Sequence, residues 1–113
     1  MRTIFFPAMT YVLFNLLACS EDIQTSIAKC EQDIYSKIGI KPVAEATDEY
    51  ILVKGEMIRV CMLSKGRKLD TFRLADTLEI VRSDLTERFP KELVDRGVEL
   101  GRAEYMTKPQ FWK

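Results

Sequence analysis

Apolar residues recur at helical spacing along nearly all of the chain beyond position 20. Between 21 and 38, Ile23, Ile27, Cys30, Ile34 and Ile38 fall at steps of four, three, four and four. That is one face of an amphipathic helix, and Gly39 followed by Pro42 supplies its stop. Thr47 or Asp48 can cap a second helix, whose main stripe reads Tyr50, Val53, Met57, Cys61 and Ser64 and which ends at Gly66. Ile51, Leu52, Ile58 and Met62 lie off that stripe, so this helix is expected to be buried on more than one side. A third helix is predicted from Asp70 or Thr71 to Phe89, with Leu74, Leu78, Val81 and Leu85 on one face. Pro90 suits the first turn of a fourth, in which Leu93, Val94, Gly97, Val98 and Gly101 share a face and Tyr105 lies a turn further on. Gly97 and Gly101 each cost about 1 kcal/mol of helix propensity relative to alanine, so a close helix approach is expected there. No stretch alternates long enough to suggest a sheet. The predicted fold class is all-α: a small bundle of three to four helices whose first two form an antiparallel hairpin.

The end of the chain, 107–113, holds the only tryptophan, Trp112, beside Phe111. So aromatic a segment is expected either to fold back over the open end of the helices or to present Phe111 and Trp112 to a partner or a membrane interface.

The first residues have a different character. Arg2 supplies a positive charge, and 4–18 then runs without any charge until Glu21 and Asp22. This is the n-region and h-region of an export signal, shorter than the roughly 20 apolar residues that span a bilayer comfortably. Its end, Leu16-Leu17-Ala18-Cys19, resembles the lipobox of bacterial lipoproteins. In that family the cysteine thiol receives a diacylglyceryl group, and a signal peptidase then cuts on its N-terminal side after a small residue. The resemblance implies a signal peptide over 1–18, cleavage between Ala18 and Cys19, and a single helical domain over 19–113 carried by lipid on Cys19. It implies a place in the cell envelope facing the periplasm. Ser20, which is not the aspartate of inner-membrane retention, favours the outer membrane. The alternative is an ordinary signal peptide or an uncleaved N-terminal anchor.

The resemblance also settles the cysteine count. Three cysteines are awkward for an exported protein. With Cys19 lipidated, Cys30 and Cys61 remain as one pair, expected to form a disulfide in an oxidising compartment and to add roughly 3–4 kcal/mol by closing a loop of about thirty residues. The alternative is two unpaired thiols in the core. A looser resemblance joins Cys30, the stretch Cys61-Met62-Leu63-Ser64-Lys65-Gly66 and the Pro109-x-Phe111-Trp112 end to small exported or lipid-anchored proteobacterial proteins without an established activity. It implies the same staple between helices. Arg67 stands where those proteins usually carry a tyrosine.

Chemistry is scarce. The chain has no histidine, which removes the commonest general base and most zinc sites, and it has no CxxC or glycine-rich phosphate loop. The acidic pairs Glu21 with Asp22 and Asp95 with Glu99 read as solvated. Arg88-Glu92-Arg96 and Lys91-Asp95 read as ion pairs along an exposed helix face. No catalytic residues, metal or cofactor are expected. Basic and acidic residues balance at seventeen each, so a nucleic-acid partner is not expected, and Lys65, Arg67 and Lys68 are read as favouring the negative end of a helix dipole. The expected role is a non-catalytic envelope lipoprotein that binds another envelope protein, as an accessory or structural module. An inhibitor or immunity-type lipoprotein is the alternative.

Overall fold

A computed structural model describes residues 21–113, so Ala18 and Cys19, with the expected cleavage and lipidation, lie outside the described residues. Among the described residues four α-helices follow one another: α1 (Ile23–Ile38), α2 (Asp48–Ser64), α3 (Thr71–Thr86) and α4 (Lys91–Tyr105). Short 3-10 turns occur at Val43–Glu45 and Pro109–Phe111. The all-α class is therefore as expected.

The caps explain where the helices begin and end. Asp22 accepts from the Thr25 N–H at 2.7 Å, Thr47 from the Tyr50 N–H at 3.2 Å and Asp70 from the Arg73 N–H at 3.1 Å. Each satisfies one backbone donor that the first turn leaves without a partner. At the end of α2, Gly66 takes φ 82° and its N–H reaches the Leu63 carbonyl, while the Arg67 N–H reaches that of Met62. This paired closure needs a left-handed residue, which is why glycine stands there. The third helix stops three residues short of the expected Phe89. Residues 87–89 instead form a turn that brings Pro90 to the position before α4, and Phe89 is left about half exposed.

The helices pack as a row in the order α1, α2, α4, α3. α1 and α2 are antiparallel and joined by the Cys30–Cys61 disulfide, with Cα atoms 5.9 Å apart. A polar link reinforces that seam. Lys54 Nζ donates to the Tyr35 hydroxyl at 2.6 Å, which donates to Glu31 at 3.0 Å. Burial opposes the charge on Lys54, but the Tyr35 bond and the Glu31 carboxylate outweigh it and raise its pKa.

The central helix corrects the expected pattern. Val53 is 46% exposed and Ser64 is exposed, while Gly55, Ile58 and Met62 are buried. The buried positions of α2 are Gly55, which lies against Ala103 of α4, and Ile58 and Met62, which share a core with Ile27, Cys30 and Ile34 of α1 and with Trp112. The reason lies at Gly55. A Cβ added there would meet the Ala103 carbonyl oxygen at 2.7 Å and its Cα at 2.8 Å, so only glycine permits the backbones to come this close. Of the two glycines expected to mark a close approach, a Cβ added at Gly97 would meet a Leu85 methyl at 2.8 Å, while one added at Gly101 would meet only ordinary neighbours at 3.8 Å and beyond. Leu93, expected on the inner face of α4, is 57% exposed, and Val94, Ala103 and Met106 take the buried positions.

The ion pairs expected along α4 form across helices instead. Arg96 reaches Asp48 of α2 at 2.9 Å and Asp95 pairs with Arg82 of α3 at 2.8 Å. Arg88 lies before Pro90, off α4, and pairs with Asp84 at 3.3 Å.

The last residues fold back. Lys68 and Lys113 exchange backbone hydrogen bonds, the Asp70 N–H donates to the Phe111 carbonyl, and Leu69 faces Trp112 in an antiparallel bridge. Phe111 and Trp112 are 3% and 4% exposed. Of the two expectations for this segment the structure adopts the first, because the rings have more apolar surface to cover between α1 and α3 than solvent could offer. Trp112 completes a core with Ile27, Cys30, Ile34, Ile58 and Met62, and its indole N–H is satisfied by the Met106 carbonyl at 2.8 Å. As anchors for a partner, Phe111 and Trp112 are therefore not available.

Candidate functional site

The described chain begins in a clamp. Glu21 is held from three sides: Lys29 Nζ donates to one carboxylate oxygen, the Ser26 hydroxyl to the other at 2.9 Å, and Lys65 lies 3.7 Å away. Arg67 reaches over from the turn after α2, donating to the Glu21 backbone carbonyl and to Ser26 Oγ. Lys29 and Ser26 come from the first turns of α1, whereas Lys65 and Arg67 come from the closure of α2. The clamp thus fastens Glu21 to two separate elements. The hydrogen bond from Lys29, then that from Ser26 and the nearby positive charges, pull the Glu21 carboxyl down to about 2. Ser26 is the one fully buried polar side chain of α1, and its side-chain hydrogen bonds serve this arrangement.

Covalent geometry makes the position informative. Only Ser20 lies between Glu21 and Cys19, and the two peptide steps span at most about 7 Å in any conformation. Glu21 itself lies at the bundle end formed by the start of α1, residues 65–70 and the folded-back tail.

A second feature is the outward side of α2. Val53, Val60 and Leu63 are each about half exposed and lie at spacings of seven and three on one side of the helix. Val60 continues into an open groove between α1 and α2, lined by Ile34, Met57 and Cys61 and rimmed by Asp33, Lys37 and Glu56. Glu56 is occupied by Arg59, whose hydrogen bond lowers its pKa. This is a surface of aliphatic side chains between charges, suited to contact.

Among the described residues, no group of three His, Cys, Asp or Glu side chains is placed to hold a metal ion, and no helix is long and apolar enough to cross a membrane. The acidic pairs singled out in the sequence are drawn apart, Glu21 into the clamp, Asp95 to Arg82 and Glu99 toward Arg96. Cys30 and Cys61 are brought together as expected. Periodicity did not expose the roles of Arg67 and Glu21. The one signal was Arg67 itself, standing directly after the helix-ending glycine. The chain matches no protein-family model, and no curated protein or solved structure is similar to it at a significant level.

Proposed function

We propose that this protein is a non-catalytic lipoprotein of the bacterial cell envelope, held by lipid on Cys19 with its helical domain facing the periplasm, and that it serves as a protein-binding accessory module. The observation that carries the reading is the clamp on Glu21. A lipid on a freely trailing residue would leave the domain to wander, but here at most about 7 Å separates the lipidated position from a residue fastened to α1 and α2. That is comparable to the roughly 5–7 Å depth of one headgroup layer. The anchor would therefore set the orientation of the domain, with α2 and its Val53, Val60 and Leu63 side running away from or along the bilayer, open to another envelope protein. Several acyl chains make such attachment durable, each buried methylene adding roughly 0.8 kcal/mol.

The test is the intact mass of protein extracted from the membranes of its own host. A mature chain beginning at Cys19 and carrying acyl chains is expected, with Cys19→Ala leaving an uncleaved precursor without them. A membrane protein that keeps Met1, or a soluble one whose residue 19 is unmodified, overturns the reading.

A further inference from the structure

We propose that the bundle end next to residue 21 is a docking face for the anionic phospholipid headgroups of the membrane that holds the anchor. The inference deepens the proposed function and rests on it for the choice of partner. Though the whole chain is electrically balanced, this end is not. Lys29, Lys65 and Arg67 gather around Glu21, Lys68 is joined through its backbone to Lys113, and Arg73 donates to the Gln110 carbonyl of the same tail.

The acidic residues at this end do not cancel that charge outward. Glu21 and Asp70 have side chains only 22% and 20% exposed, and Asp22, which is exposed, spends one oxygen on the Thr25 N–H. The ammonium-bearing side chains of Lys29 and Lys113 are 57% and 65% exposed, and Lys68 and Arg73 are exposed too. Six cations spread over this end, with Glu21 and Asp70 drawn inward and only Asp22 among the three acids exposed, fit a sheet of phosphates better than a single small anion. The placement of residue 19 within about 7 Å of the same end brings that sheet to it. Basic side chains near an anionic surface each strengthen binding by about fivefold, and the effect fades within a Debye length.

The experiment uses protein isolated from its own host, with its intact mass read first, added to vesicles of phosphatidylcholine with and without phosphatidylglycerol. Amine-reactive labelling is mapped lysine by lysine. On the phosphatidylglycerol vesicles Lys29, Lys65, Lys68 and Lys113 are expected to lose labelling severalfold relative to neutral vesicles, with Lys37 and Lys91 unchanged, and high salt should restore it. Lys68→Glu with Lys113→Glu, which leaves the clamp on Glu21 untouched, should abolish the protection. Equal labelling on both vesicles, or protection spread evenly over all lysines, overturns the proposal. The two readings fail separately: an acylated Cys19 without selective protection leaves the anchor standing and removes the docking face. An unmodified residue 19 with selective protection removes the anchor and keeps the face.

Discussion

Substituting Gly55 by alanine tests the closest approach in the fold. In an isolated helix the change would stabilise by about 1 kcal/mol, since glycine has more backbone freedom to lose. Within this bundle the new Cβ falls 2.7 Å from the Ala103 carbonyl oxygen and 2.8 Å from both its Cα and its Cβ. Backbone on the far side cannot rotate away, so α2 and α4 must separate. That loosens the packing of Ile58 and Met62, both fully buried. Overpacking of a core costs about 1–3 kcal/mol, and a clash with main chain belongs at or above the upper end. The net effect is a loss of roughly 1–2 kcal/mol, or a fall in Tm of about 5–15 °C for a domain of this size. The comparison series makes this decisive. Gly101→Ala meets its nearest neighbour only at an ordinary 3.8 Å and should raise Tm. Gly97→Ala meets one Leu85 methyl at 2.8 Å, on a side chain that can turn aside, and should change little. Thermal and urea unfolding followed by helix circular dichroism rank the three. A Gly55→Ala protein as stable as the parent would refute the close approach of α2 and α4. Combining it with Ala103→Gly should recover only part of the loss, because the main chain of α4 at that position still stands in the way of the new methyl group.

Replacing both Cys30 and Cys61 with serine should cost about 2–5 kcal/mol, read as a lower urea midpoint, and reduction of the parent should reproduce it; identical midpoints would mean that the staple does not constrain the unfolded chain. The Glu21 carboxyl, at about 2 against an ordinary 4.5, stabilises the fold fully above pH 4.5 and loses that contribution as the pH falls toward 2. Stability measured across that interval should fall less steeply in Glu21→Gln, and an unchanged slope would show that the clamp contributes nothing. Trp112→Phe gives up the hydrogen bond to the Met106 carbonyl and should destabilise by about 0.5–1.5 kcal/mol or slightly more. Emission from the parent's only tryptophan should be blue-shifted and shift red on unfolding, and emission already at the solvent-exposed wavelength would contradict the buried tail.

What could be read from the sequence is what local chemistry decides. Thr47 and Asp70 lie where side-chain oxygens can reach the N–H groups of a first turn, and Gly39 and Gly66 lie where a chain must turn left-handed; Asp22, read only as a solvated acid, caps α1 in the same way. These bonds form between residues two to four apart, so spacing alone reveals them. The tail could be read only as a pair of alternatives, because an aromatic segment wants burial but its sequence does not say where. The answer came from the pairing of Leu69 with Trp112, which lie more than forty residues apart. The clamp is non-local in the same way: Arg67 and Glu21 are forty-six positions apart, and each alone looks like an ordinary surface charge.

The inward face of α2 is the more instructive case, because the sequence marks Ile51, Ile58 and Met62 as a second buried side, and the structure makes Ile58 and Met62 the most buried residues of the helix. Apolar residues surround this helix, and the stripe with the larger side chains, Tyr50, Val53 and Met57, competes in spacing with Ile51, Gly55, Ile58 and Met62. Spacing alone does not rank the two. Packing energy depends instead on how near two backbones can come, because dispersion weakens steeply with even a small gap. A helix that must lie between two others gains most where its own side chain is absent and its neighbours at four before, three after and seven after are branched or long. Gly55 with Ile51, Ile58 and Met62 has that arrangement. Ala103, the smallest side chain on the facing part of α4, supplies the complementary surface, and Val53 is consequently left to the solvent side.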